Sequence, residues 1–137
     1  MTRLTTIDVM FLPAIWQLVS EYIEKSLKYA NGKYDLDGVL ELLKKRELLL
    51  WVVYTDNKIK GCFVTELIDY PKKRILMISF LGADEMEDVL CHLDAIKDYA
   101  KKHKAQGLEI FGRAGWEKTL SVEGFRKTHV VLGLNLD

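Results

Sequence analysis

Neither sign of charge is in surplus in this sequence: lysine and arginine number 20, aspartate and glutamate 20. A balanced chain lacks the global field that draws a protein onto nucleic acid or an anionic membrane, so neither is an expected partner. The cysteines are two, Cys62 and Cys91, too few for a disulfide framework. Each sits in an apolar run, and both are expected to be reduced core residues. Prolines are also two, and neither a low-complexity segment nor an internal repeat is visible. No uninterrupted apolar run approaches the roughly 20 residues that cross a bilayer. The opening residues, MTRLTTIDVM, lack the basic region and apolar stretch of a signal peptide. A soluble protein of a reducing, cytoplasmic compartment is therefore expected. The Gly-x-Ser-x-Gly elbow and the His-Glu-x-x-His zinc motif are both missing.

What is present is an alternation of helix and strand patterns within 137 residues, a length that suggests one domain spanning 1–137. Arg3 to Ile7 reads as a first strand, and Asp8 can cap a following helix. Ile15, Trp16, Val19, Tyr22, Ile23, Ser26 and Leu27 recur there at helical spacing. The stretch NGKYD breaks the pattern. Asp35 or Asp37 then caps a shorter helix carrying Val39, Leu40, Leu42 and Leu43. LLLWVVYT and IKGCFVTEL read as strands joined by a turn over Asp56 to Lys58, since Asp and Asn tolerate left-handed geometry. A second turn, DYPKK, leads to the strand RILMISFL. Met86 to Lys104 reads as one long helix, with Val89, Leu93, Ile96, Ala100 and His103 on a single face. A strand over Gln106 to Gly112, a short helix ending at Gly124 and a final strand over Arg126 to Leu136 complete the chain. The order β–α–α–β–β–β–α–β–α–β predicts an α/β or α+β sheet layered with helices.

This order resembles the GNAT-like N-acetyltransferase superfamily, and the C-terminal third carries the likeness. Its pieces are MEDVLCHLDAIKDYAKKHK, GLEIFG, GWEKTLSVEGF and RKTHVVLGLNL. The run GRAGWEKTLSVEGFRKTHVVL is also similar to small GNAT-like proteins of bacteriophage genomes. The resemblance implies a mixed, mostly antiparallel sheet with helices on both faces, and transfer of an acetyl group from acetyl-CoA to an amine. It implies that the backbone edges of Met77, Ser79 and Leu81 receive the pantetheine arm and that Gly82 stands at the phosphate loop. Arg113 and Trp116 fall where the strands splay to admit that arm. A purely structural role, a tight turn over a packed Trp116, stays open there.

Two family elements are altered. The fourth strand normally ends in Arg/Gln-x-x-Gly-x-Gly/Ala, whose N–H groups cradle a pyrophosphate. This chain has FLGADEMEDVL, with Gly82 alone and with Asp84, Glu85, Glu87 and Asp88 close by. An acid near a helix N-terminus contributes about 0.3–1 kcal/mol. Two like charges ~4 Å apart repel by about 1 kcal/mol in water and more in a cleft. The acids therefore favour a helix start and oppose a phosphate, so the loop is expected to be degenerate and acetyl-CoA a doubtful cofactor. Many members also place a tyrosine four residues before the glycine of a Gly-Phe ending. Here Leu120 stands in that position, before Gly124.

An amine acceptor needs a base to take its proton. Glu66, near the end of the third strand, is the first choice, with Glu109 and His129 as alternatives. The plain reading of Glu66 is a solvent-facing carboxylate. Asp88 and His92 lie one helical turn apart, but zinc needs three or four converging ligands, so no metal is expected and an intrahelical hydrogen bond explains the pair. The two KKR runs, Lys44 to Arg46 and Lys72 to Arg74, would contact phosphates only if they fold onto one face. Two functions stay open. One is an N-acyltransferase with an atypical cofactor loop. The other is a non-catalytic GNAT-fold module, phage-encoded, that binds a protein partner, self-associates or sits in a virion.

Overall fold

A computed structural model describes residues 1–112 and 114–136. Five strands form one sheet in the order β1-β2-β3-β4-β5: β1 (Arg3–Ile7), β2 (Leu49–Thr55), β3 (Lys58–Asp69), β4 (Arg74–Ala83) and β5 (Gly107–Ile110). The first four pair antiparallel, and β5 lies parallel to β4. The expected mixed, mostly antiparallel sheet with helices on both faces is what forms. The β2–β3 turn is tight because Asp56 and Asn57 both adopt left-handed φ, 38° and 71°.

Helices α1 (Leu12–Leu27) and α2 (Leu36–Lys44) cover one face. Val19, Ile23, Val39 and Leu43 pack there on Leu50, Val52, Val64 and Phe80. Asp8 caps a single 3-10 turn, Val9–Phe11, by accepting from Met10 N–H, and α1 starts after it. Asp35, not Asp37, caps α2, accepting from Gly38 N–H at 2.7 Å.

The other face carries α3 (Met86–Leu90), α4 (Leu93–Lys102) and α5 (Ala114–Ser121). Val89, Leu93, Ile96 and Ala100 meet Trp51, Val53, Phe63, Leu76 and Ile78. The expected single helix over Met86 to Lys104 is thus two. At the break His92 N–H donates to Val89 O, three residues back, and the His92 ring reaches Thr2 Oγ1 at 2.8 Å. The apolar stripe survives because a tightened turn shifts the backbone without reversing the buried side. His103, the last member of that stripe, is half-buried and stacks on Tyr99 with ring centroids 4.2 Å apart.

Two further expectations fail. Cys62 is buried but Cys91 is exposed, because it sits on the outer side of the helix break. Residues 126–136 form no strand. Val130, Leu132, Leu134 and Leu136 alternate as a strand would, yet each is 65% or more exposed. A period of two says that one side seeks cover, but it does not supply an edge to pair with.

Candidate active site

The site is built around an irregularity in β4. Thr65 of β3 pairs with Ile78 and Val64 pairs with Phe80, so Ser79 is skipped, a β-bulge. On the other side the β4–β5 pairing ends at Ile78 and Ile110. Ser79 therefore has a strand partner on neither flank. Phe111 N–H still donates to Ile78 O at 3.3 Å, so the strands part just beyond that bond. Ser79 is 7% exposed, and among the described residues its Oγ is the buried side-chain polar atom without a hydrogen-bond partner. Leaving such a group unmet costs about 1–3 kcal/mol, which calls for a reason. Bulges of this kind re-aim side chains next to active sites.

Next to the bulge a row crosses three strands. Met77 pairs with Glu66 on β3 and with Glu109 on β5. Directly paired residues point to one face, so Met77 stands between two carboxylates. Glu66 is half-buried and lines a cavity of about 390 Å³ together with Arg46, Glu47, Thr65 and Tyr99. Burial, and then the charge of Glu47, raises the Glu66 carboxyl above its ordinary range. That shift makes it a stronger base once ionised. Thr65 Oγ1 is already engaged, accepting from Trp51 Nε1 at 2.9 Å. A second cavity, of about 600 Å³, has Ile75 and Met77, Glu109 and Phe111, and His129 among its walls. Met77 and both alternative bases therefore meet in one place.

The β4–α3 junction is organised differently. A Cβ on Gly82 would lie 3.0 Å from both Tyr22 Cβ and Tyr22 O, so close packing of α1 explains the glycine. Asp84 N–H is spent on Lys60 O at 2.9 Å, and Asp84 Oδ1 accepts from the Tyr22 hydroxyl at 2.9 Å. Glu85 and Glu87 are exposed. The expected hydrogen bond between Asp88 and His92 is replaced by the bond from His92 to Thr2. Burial lowers the His92 pKa, and Asp88 acts on it only through its charge, in the opposite direction.

Of the residues singled out from sequence, Glu66, Met77 and Ser79 come together at the bulge. Leu81 is half-buried on the α3–α4 side, and Gly82 sits under α1. Trp116 is half-buried and packs on the α3–α4 cluster, and Leu120 is a core residue at 4% exposure. Arg113 lies outside the described residues. Sequence reasoning missed Glu47 and the Tyr22–Asp84 contact. The bulge had a signal, since Ser79 interrupts an otherwise apolar strand.

No protein-family profile matches the chain, and no curated protein matches it in sequence. Solved structures do match in fold. The predicted acetyltransferase of Clostridium acetobutylicum, solved with acetyl-CoA, superposes with a TM-score of 0.73 at 19% identity, covering 98% of this chain and 96% of that one. An aminoglycoside N-acetyltransferase in complex with coenzyme A gives 0.73 at 11%, covering 99% and 95%. The ribosomal-protein-alanine N-acetyltransferase of Brucella melitensis biovar Abortus gives 0.71 at 12%, covering 100% and 99%. The chain has the GNAT fold.

Proposed function

We propose that this protein is an N-acyltransferase that takes its acyl group from acetyl-CoA and passes it to a primary amine. The observation that carries the reading is the orphaned Ser79 hydroxyl at the β4 bulge, next to the Glu66–Met77–Glu109 row. A buried hydroxyl with no partner suits a carbonyl oxygen, to which it can donate. The backbone from Met77 to Leu81 takes the pantetheine arm, with Arg113 and Trp116 at the groove. When bound, acetyl-CoA supplies the activated acetyl thioester. Glu66, raised by burial and by Glu47, removes a proton from the incoming ammonium through a water. Glu47 and Glu66 stand at the cavity beside Arg46, and the two carboxylates there can pair with that cationic amine.

The pyrophosphate end does not fit an ordinary cradle. Gly82 serves α1, the Asp84 N–H is spent, and Glu85 and Glu87 stand nearby. The cofactor loop is therefore degenerate and cofactor affinity is low. That same observation favours the second reading, a non-catalytic module of the small phage type that acts in the host cytoplasm or the virion by binding a protein. Calorimetric titration with acetyl-CoA separates the two. Binding in the micromolar range, with thiol release when amines are added, supports the transferase. No heat at millimolar acetyl-CoA would sink it, and capture of a partner by the unliganded protein would then carry the second reading.

A further inference from the structure

The charges that cancel in the sequence are sorted by the fold. Lys44 to Arg46 end α2, Lys72 to Arg74 form the β3–β4 hairpin, and Lys101 to Lys104 end α4. All three runs lie at the end of the sheet where β2 begins, β3 ends and β4 begins. Direct contacts join the second and third runs, and a shared cavity brings the first beside them. Arg74 Nη1 donates to His103 O at 2.9 Å, and Gln106 N–H donates to Arg74 O at 2.8 Å. Arg46 and Tyr99 line one cavity, and Tyr99 stacks on His103.

Within these runs Lys44 approaches Glu41 at 3.9 Å and Arg74 pairs with Asp69. The other lysines and Arg46 are exposed and make no ion pair among the described residues. Glu47 and Glu66 share a cavity with Arg46, so the three runs' nine cations face Glu41, Glu47, Glu66 and Asp69 and still outnumber them. Cations at the ends of α2 and α4 are favoured by the helix dipoles, which accounts for Lys44, Lys101 and Lys102. It does not account for Lys72 and Lys73 on a hairpin. Nor does it explain why Arg46 and Lys104 hold left-handed φ of 61° and 63°, where glycine or asparagine is the usual choice. At the opposite end the acids Asp56, Asp84, Glu85 and Glu87 outnumber Lys58 and the two lysines that follow Tyr22 towards the end of α1, Lys25 and Lys28.

We infer that the basic end of the sheet binds single-stranded nucleic acid through its phosphodiester backbone. From β2 to β4 the end is two strand spacings wide, about 10 Å, and the flanking helix ends broaden it further. Every nucleotide of a single strand carries one phosphate charge, so a surface of this width meets more than one of them. Tyr70 is 50% exposed beside Lys72 and Lys73, and its ring offers a stacking platform for an unpaired base. A membrane surface is less suited, because α2 and α4 present their ends there and no apolar helix face lies flat.

The test is fluorescence anisotropy with a labelled single-stranded 20-nucleotide RNA at low and physiological salt. Each phosphate contact adds about −0.7 to the log–log salt slope, so a slope steeper than about −2 is expected. Lys72→Glu with Lys73→Glu should weaken binding at least tenfold, and Tyr70→Ala should weaken it several-fold. Lys25→Glu with Lys28→Glu changes the net charge equally at the other end and should leave binding within twofold. Thermal melts confirm that each variant is folded, and Lys72→Gln with Lys73→Gln replaces the reversal if it is not. No anisotropy change with tens of micromolar protein at low salt overturns the inference. So does equal loss in the control pair, or sedimentation with phosphatidylserine vesicles without RNA binding.

Discussion

The Tyr22 hydroxyl lies 2.9 Å from Asp84 Oδ1, so helix α1 is fastened to the loop that leaves β4. Burial first, and then that carboxylate, pushes the phenol up to about 12. The unfolded chain ionises Tyr22 near 10, so this contribution is intact below pH 10 and disappears between pH 10 and 12. Tyr22→Phe should therefore lower the melting temperature at pH 8 and narrow its gap to wild type as the pH rises. A constant gap across that range would separate Tyr22 from the alkaline transition.

Gly82 lies beneath the same helix, and a methyl group there would meet Tyr22 at 3.0 Å. Gly82→Ala should cost about 1–3 kcal/mol in urea unfolding, as overpacking does. An unchanged midpoint would show that α1 moves freely.

Glu66 makes opposite demands on stability and activity. Its raised carboxyl favours the protonated form in the fold, so the stability it contributes is present below its unfolded pKa and lost as pH rises through the folded value. Glu66→Gln should thus raise the melting temperature at pH 7 and leave it nearly unchanged at pH 4. The same change should lower kcat about 100-fold, the usual scale for a removed base. Glu47→Gln should move the acid limb of the pH–rate profile to lower pH. A variant that keeps full activity would exclude Glu66 as the base.

Ser79→Ala removes a buried hydroxyl that has no partner. It should stabilise the fold by roughly 1 kcal/mol while slowing acyl transfer. Loss of stability would mean that the hydroxyl is already satisfied in the folded chain.

The two thiols should be told apart by a chromogenic disulfide reagent. Cys91 is exposed and should react in the native protein. Cys62 is buried and pushed up to about 12 by burial, so it should react only in denaturant. Rapid labelling of both would show that β3 opens readily.

Much of the fold could be read from local chemistry. Asp35 capped its helix, Asp56 and Asn57 turned their hairpin, and Val89, Leu93, Ile96 and Ala100 found the core. Each of these depends on neighbours within a few positions. What escaped depends on contacts distant in sequence. The break at His92 is set beside Thr2, 90 residues away. The bulge at Ser79 needs the registers of both neighbouring strands. The strand expected over Arg126 to Leu136 had the right alternation but found no edge. Glu66 was legible as a carboxylate on a central strand. Its raised proton affinity was not, because Glu47 reaches it through folding.

The uneven placement of charge also leaves a neutral protein with one end richer in cations than the other. With a sequence pI near 6.8, neither ion exchanger should hold it by net charge near pH 7. A resin reads the surface that faces it. A phosphocellulose bead sees the ends of α2 and α4 with the hairpin between them, and retains the protein where a titration of its total charge says it should pass through.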